Sequence, residues 1–256
     1  MGRQVCLAVA GEADLELVAA VDPSVAGAAL DALVDLDTDV VVGDDVTGLA
    51  DAGVEVAVDF TVAPAAVAHM AWCAAHGVHA VVGTTGITDA QVEAAREAFE
   101  RSEANCVLAA NFAVTAVLMM RFAELAAPFV GGVEIVELHH DAKRDAPSGT
   151  ALRTAERVAA ARAAAGAPPW PADATVDLVL PGARGADTPG GVRVHSVRLP
   201  GLVAHQEVIM GAPGQSLTIR HDAYDRSSFM PGVLLALRAV PSMPGLTVGL
   251  DAVLGL

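Results

Sequence analysis

Aromatic side chains are scarce in this chain: two Trp, one Tyr and six Phe in 256 residues. A core short of rings must be filled by small aliphatic groups, and Ala, Val, Gly and Leu dominate. That is the composition of α/β proteins whose parallel strands are buried on both faces. Cysteine is nearly absent too. Cys6, Cys73 and Cys106 each sit in an apolar setting; an odd, sparse set excludes a disulfide framework and predicts a reducing compartment. Basic residues are outnumbered, 15 against 31 acidic, for a net charge of −16. This argues against nucleic acid and anionic membrane as partners, so an anionic ligand has to be captured by local donors. No apolar run is long enough to span a bilayer. No basic, apolar and cleavage-site sequence opens the chain, and the cytoplasm is the expected location. The apolar excess then points to subunit contacts. The length allows one large domain or two smaller ones.

What is present is organised around one stretch, Glu134 to Ala151. It begins as a strand, with Val133, Ile135, Val136 and Leu138 as β-formers. It then delivers His139, His140 and Lys143 where the strand must stop. Asp145-Ala146-Pro147-Ser148-Gly149 interrupts regular structure, and an Ala-rich helix is predicted from about Thr150 to Ala165. A helix start presents backbone N–H groups and a partial positive charge, which suits a carboxylate or phosphate. A lone His in such a turn would merely satisfy local hydrogen bonds. Two His, one Lys and an anion-ready helix start in one turn point to function.

Around this stretch the pattern alternates strands and helices. Residues 1–10 read as a helix, with Val5, Cys6 and Val9 on one side. Leu15 to Val21 reads as a strand ending in Asp22. Helix, turn, strand and acidic residue form the second half of a dinucleotide-binding βαβ unit, in which the acid takes a ribose hydroxyl. No opening strand and no G-x-G-x-x-G loop precede it in the sequence. Val40 to Val42 reads as a short strand. Further strands are predicted at Val54–Phe60, Val78–Val82 and Cys106–Ala110. Helices follow at Pro64–His76, closed by Gly77, and from Thr88 to about Arg101. His69 and His76 read as surface or capping residues. The turn Gly83-Thr84-Thr85-Gly86 lies at the carboxyl end of a parallel strand, where a doubly wound sheet binds its ligand. Ala109-Ala110-Asn111-Phe112 lies at another strand end. A long helix is expected from Val114 to Phe129, with Val117, Leu118, Met120, Phe122 and Leu125 on its apolar side. Strands at Thr175–Leu180, Val192–Leu199, Ala204–Met210 and Ser216–His221, with Val133–His140, predict a second, mixed sheet. A last helix is expected at Ser227–Val240. Arg184, His195, Arg198, His205 and Arg220 are candidate carboxylate partners or interface residues, which the sequence does not rank.

The run His139-His140-x-x-Lys143-x-Asp145-Ala-Pro-Ser-Gly-Thr-Ala151 resembles the signature of the 4-hydroxy-tetrahydrodipicolinate reductase family, and the likeness extends over nearly the whole chain. The resemblance implies an N-terminal Rossmann-like doubly wound parallel sheet, truncated at its start, and a second α+β domain with an open mixed sheet. The implied boundaries are 1–112 with 222–256 for the dinucleotide-binding domain, and 113–221 for the substrate-binding and oligomerisation domain. The implied activity is NADH- or NADPH-dependent reduction of a cyclic dicarboxylate in lysine biosynthesis by a cytoplasmic homotetramer. His139 would donate or accept a proton, Lys143 would protonate the ring, and His140 would contact substrate. Gly149 and Thr150 would grip a carboxylate. Met1, Gly2, Asp22, Gly83, Thr84, Thr85, Ala109, Ala110, Asn111 and Phe112 would bind cofactor. In the family a strand and a Gly-rich loop precede the first helix, and Met1-Gly2-Arg3 matches only the tail of that loop. A start assigned to an internal Met is the expected reason, ahead of a clipped product or a truncated gene.

Three rivals remain on sequence grounds. A semialdehyde dehydrogenase would need a nucleophilic Cys, and Cys106 reads as core. A metal enzyme would need a third ligand beside His139 and His140, and no metal site is expected. A non-catalytic binding or regulatory homologue would keep the substrate pocket without the cofactor loop.

Overall fold

A computed structural model describes residues 1–256. The chain divides into two compact units, Met1–Val114 with Phe229–Leu256, and Thr115–Ser228.

The first unit opens with α1, Gly2–Ala10, whose Val5 and Val9 are buried one turn apart. Its parallel sheet is built from β1 (Val56–Asp59), β2 (His79–Val82), β3 (Cys106–Leu108) and β9 (Leu246–Val248), in the order β1-β2-β3-β9. Connecting helices are α2, Ala63–His76, and α3, Asp89–Glu100. Pro64 starts α2 where a missing N–H costs nothing. Gly77 ends it at a left-handed φ of 71° and donates to Cys73 O. Thr88 and Gln91 form a reciprocal capping box on α3. Ala80, Val82, Cys106 and Leu108 pack with Met70, Cys73 and Phe99 of these helices. Val81 and Val107 point the other way and are also fully buried. Both sheet faces are therefore dry, as a run of small aliphatics demands.

Three expectations fail here, each for a backbone reason. Leu15–Val21 is not a strand. Its pairing is confined to the bridge between Val21 and Gly43 and the bonds from Gly43 N to Ala20 O and from Asp22 N to Gly43 O. A strand needs a continuous ladder for its N–H and C=O groups, and residues 15–19 have no strand beside them. Val40–Val42 likewise takes part in a single isolated bridge, between Val41 and Ala29. The segment Ser227–Val240 divides into a 3₁₀ turn at Arg226–Phe229, α6 at Met230–Ala239 and a second 3₁₀ turn at Val240–Ser242. Pro231, in the first turn of α6, lacks the N–H that a continuous helix would need.

The second unit has α4 (Val114–Ala126), β4 (Gly132–His139), α5 (Gly149–Ala164), β5 (Ala186–Asp187), β6 (Arg193–Arg198), β7 (Ala204–Ala212) and β8 (Gln215–Ala223). The sheet order is β5-β6-β4-β7-β8, with β4 central. β4 runs parallel to β6 and antiparallel to β7, so the sheet is mixed, as expected. α5 packs on β4 and β6. Its buried Arg162 donates to the carbonyls of Ala127, Val130 and Pro168 and lies 3.8 Å over the Trp170 ring, fastening the chain on either side. The predicted strand at Thr175–Leu180 is absent, and Val176 and Val179 are 98% and 92% exposed. Its alternation is strand-like, but no strand lies alongside to complete a ladder. The apolar side of α4 also differs. Ala116, Val117, Met119, Met120 and Ala123 are buried, whereas Phe122 and Leu125 are exposed.

Gly232 on α6 permits the closest packing in the first unit, since a Cβ there would lie 2.0 Å from Phe112 O. Backbone cannot yield as a side chain can. Gly232→Ala should lower the unfolding free energy by roughly 1–3 kcal/mol in urea titration. Gly48→Ala, with nothing within 4 Å of the added methyl, should stay within about 0.5 kcal/mol of the parent.

Candidate active site

β4 alternates burial along its length, with Val133, Ile135 and Glu137 facing inward. His139 follows Glu137 by two residues and so projects from the same face. Glu137 is completely buried. Its Oε2 lies 2.5 Å from His139 Nδ1. On the neighbouring strand β6, Arg198 donates to both carboxylate oxygens, at 2.9 and 2.7 Å. Ser148 N donates to Oε1 at 3.3 Å. Desolvation pushes the Glu137 pKa up, but the bonds from Arg198, Ser196 and His139 outweigh it and hold the carboxyl below its ordinary range. Burial likewise pushes the His139 imidazole below its ordinary value, against the pull of Glu137.

After His139 the chain turns, with Lys143 N donating to His140 O. Lys143 Nζ donates to both oxygens of the exposed Asp145, at 2.8 and 2.9 Å. This ammonium holds the Asp145 carboxyl below its usual range. Arg198 Nη2 bonds Asp145 O at 2.8 Å and so braces the same loop. Ser148 then caps α5, its Oγ accepting from Ala151 N at 3.2 Å. Gly149 and Thr150 are the first two residues of α5, where helix N–H groups point out of the end. His139, Lys143, Gly149 and Thr150 thus belong to one strand-to-helix corner, and the Lys143 charge acts on His139. His140 is exposed on the turn. The corner can hold a carboxylate at the helix start and exchange protons beside it.

Sequence reasoning missed Glu137 and Asp145 and did not single out Arg198. The available signal for Glu137 was its spacing: a carboxylate two residues before a His on a strand must share its face.

In the first unit the expected cofactor loops lie at the carboxyl ends of β2 and β3. Gly83 N donates to Asp59 O, and Ala109 N to Val82 O. A Cβ on Gly83 would lie 2.1 Å from the Phe60 ring, which itself packs edge-on against Phe112 at 5.7 Å. This brings the two loops side by side. Thr84 is buried and donates to Asp59 Oδ1 at 3.1 Å. Phe112 is core, so of these two residues chiefly the backbone is accessible to a ligand. Thr85 is exposed, Ala110 borders Asn111, and Asn111 Oδ1 accepts from Ala113 N at 2.8 Å. His69, read from sequence as a surface or capping residue, instead pairs with buried Asp59 at 2.6 Å. Thr61 also donates to that carboxylate from its N–H and its hydroxyl. Asp22 is exposed, its Oδ1 engaged by Ser24. Met1 and Gly2 stand at the start of α1. Cys106 is fully buried, and desolvation pushes its thiol far up, as a core residue's should be. No three His, Cys, Asp or Glu side chains converge as a metal site.

Loops at the carboxyl edge of a parallel sheet in one unit, and a His–Lys corner on a mixed sheet in the other, define a two-unit α/β reductase. The sequence matches the dihydrodipicolinate reductase N-terminus over residues 1–112 and the C-terminus over 115–254. A Nocardia farcinica protein named 4-hydroxy-tetrahydrodipicolinate reductase is 51% identical, over 100% of this chain and 95% of its own. Another of that name from Corynebacterium diphtheriae is 48% identical over 98% and 93% of the two chains. The structure of dipicolinate-bound dihydrodipicolinate reductase from Paenisporosarcina sp. TG-14 superposes with a TM-score of 0.85. It is 38% identical and covers 98% of this chain and 94% of that one. The chain belongs to the dihydrodipicolinate reductase family.

The same groups set a pH dependence of stability. His139 and His221 both have pKa values lowered by desolvation from the ordinary 6.5. Below that value the unfolded chain binds more protons than the folded one, so their contribution falls as pH drops through 6.5. Glu137, also lowered, contributes fully above its ordinary 4.5 and is lost as pH falls through its lower folded value. The unfolding midpoint should decline below about pH 6.5, and should decline again as pH rises through the ordinary thiol value of 9.0, because burial keeps Cys6, Cys73 and Cys106 protonated only in the folded chain. In His139→Asn/His221→Asn the upper part of the acid-side decline should shrink, as thermal unfolding followed by circular dichroism would show.

Proposed function

We propose that this chain reduces 4-hydroxy-tetrahydrodipicolinate to tetrahydrodipicolinate with NADH or NADPH, in the diaminopimelate route to lysine. The carrying observation is the corner from His139 to Thr150, where a helix start, His139 and Lys143 come together, with His140 exposed on the turn. The relatives' shared name favours this enzyme over the non-catalytic binding homologue. The Paenisporosarcina protein's bound dipicolinate, a planar dicarboxylate, supports a cyclic dicarboxylate as ligand. Residues 113–221 are assigned to substrate binding and assembly, and 1–112 with 222–256 to the cofactor.

The residues at the carboxyl edge of the parallel sheet fit a dinucleotide. Asp22 offers an exposed carboxylate to ribose hydroxyls, and Gly83–Thr85 and Ala109–Phe112 flank the nicotinamide half. A reduced nicotinamide supplies hydride when bound. Pro23 follows Asp22, where no Arg stands to welcome a 2′-phosphate, so NADH is the favoured cofactor. The first turn of α5 receives one ring carboxylate on Gly149 and Thr150 N–H groups, and His140 contacts the substrate. Lys143 Nζ already donates to a carboxylate, Asp145, and is the group suited to deliver a proton to the ring as the enamine collapses. His139 exchanges a proton beside it.

The open face of the mixed sheet supports a homotetramer. Val136, Leu138 and Val197 are half-buried there and Ile209 is exposed. A reducing cytoplasm is the proposed location; no helix is long and apolar enough to cross a membrane.

Lys143→Ala should lower kcat by roughly 10²–10⁴-fold, the usual worth of a positioned acid. Steady-state oxidation of NADH in the presence of substrate measures it. Near-full turnover in the variant would remove Lys143 from the mechanism.

A further inference from the structure

We propose that Glu137 is the positioning residue of this site: one buried carboxylate fixes the tautomer and rotation of His139 and sets the height of the α5 start beside it. The inference rests on the reductase reading for its catalytic consequence, but its structural core does not.

Donors from three segments converge on Glu137, Ser196 of β6 among them. Arg198 of β6 reaches both oxygens. His139, on the same strand, meets Oε2. Ser148, the N-cap of α5, gives its backbone N–H to Oε1. An ionised carboxylate only accepts hydrogen bonds. The hydrogen between it and His139 must therefore sit on Nδ1, and the neutral ring presents a lone pair at Nε2. Rotating the ring by half a turn would set a carbon against Oε2 and forfeit a bond to a charged acceptor. The charged groups that act on His139 are Glu137, Lys143 and Arg198. Glu137 is on its own strand. Arg198 pairs with it across β6, and Ala204, opposite on β7, carries no charge. Lys143, Asp145 and His140 come from the following loop, and neutral Ser148 from α5. Glu137 is thus the sole carboxylate bonded to the imidazole, and the cations beside it oppose its effect.

Stability alone does not account for this carboxylate. Removing an ion pair from water is costly, and apolar residues of similar volume often serve a core as well or better. A carboxylate that ties the imidazole to the residue capping the anion-gripping helix has a second use. It sets the distance between the proton-exchanging group and the carboxylate grip, and a misplacement of about 1 Å can cost ~10²-fold in rate.

The test is the protonation state of His139 in the wild-type chain, without substrate, by long-range ¹H–¹⁵N NMR, the signals assigned by their loss in His139→Asn. At pH 8 Nδ1 should be protonated and Nε2 unprotonated. Glu137→Gln should lower the His139 pKa further, and the limb of the kcat/KM profile that titrates with His139 should move to lower pH with it. kcat should fall roughly 10- to 100-fold. A residue with a merely structural role would lower activity without moving that limb. A proton on Nε2 in the wild type, or a His139 pKa unchanged in Glu137→Gln, would overturn the proposal. If the variant does not fold, the wild-type tautomer decides alone. Failure of the reductase reading would show instead as wild-type protein with the expected tautomer and no substrate-dependent NADH oxidation.

Discussion

A carboxylate with no access to water must be surrounded by donors, and that requirement shapes the second unit. Glu137 stands on the central strand of the mixed sheet, so its donors can come from both the adjacent strand and the helix above. Arg198 meets it from β6, Ser148 from the start of α5 and His139 from two residues along. The loop between His139 and Ser148 is then tied at both ends to one charge, and Arg198 also bonds its middle through Asp145 O. The loop needs no sheet or helix of its own to be held. What it carries, Lys143 above all, is positioned by this anchoring together with its own ion pair to Asp145.

The first unit solves a different problem. Its strands are short and both faces of its sheet are buried, so the loops proposed for the cofactor are confined to the strand ends. Gly83 is required there because the Phe60 ring occupies the space a side chain would need. Phe60 in turn leans on Phe112, so the ends of β2 and β3 share one small aromatic contact in a chain with few rings. Asp59, at the end of β1, gathers Thr61, Thr84 and His69 around a second inward carboxylate. The loops after β1 and β2 are thereby braced by polar bonds made inside the unit. Polar groups withdrawn from water specify geometry more tightly than apolar packing does, provided each is satisfied.

The parts of this architecture legible in the sequence were those decided by local chemistry. The strand at Val133–His140, the helix after Ser148, the cap at Gly77 and the helix start at Thr88 all depend on residues near one another. The grouping of His139, Lys143, Gly149 and Thr150 was legible for the same reason, since twelve positions of one turn region carry it. What escaped depended on partners remote in sequence. Leu15–Val21 and Thr175–Leu180 have strand-like alternation but no neighbouring ladder. β9 is too short to announce itself, and it exists because β3 offers an edge. Phe122 and Leu125 fit a helical stripe, yet the face that packs is set by Ala116, Met119 and Ala123. Arg198 is 61 residues from Glu137, and no spacing rule could join them. His69 was misread because its carboxylate partner lies on another element.

The central claim is that the turn between β4 and α5 grips a ring dicarboxylate through the helix start and places His139 and Lys143 beside it. A crystal structure of this chain with dipicolinate tests it most directly. The account predicts one carboxylate on the N–H groups of Gly149 and Thr150, with Lys143 Nζ within hydrogen-bonding distance of the ligand. Dipicolinate bound elsewhere, with the start of α5 untouched, would contradict it.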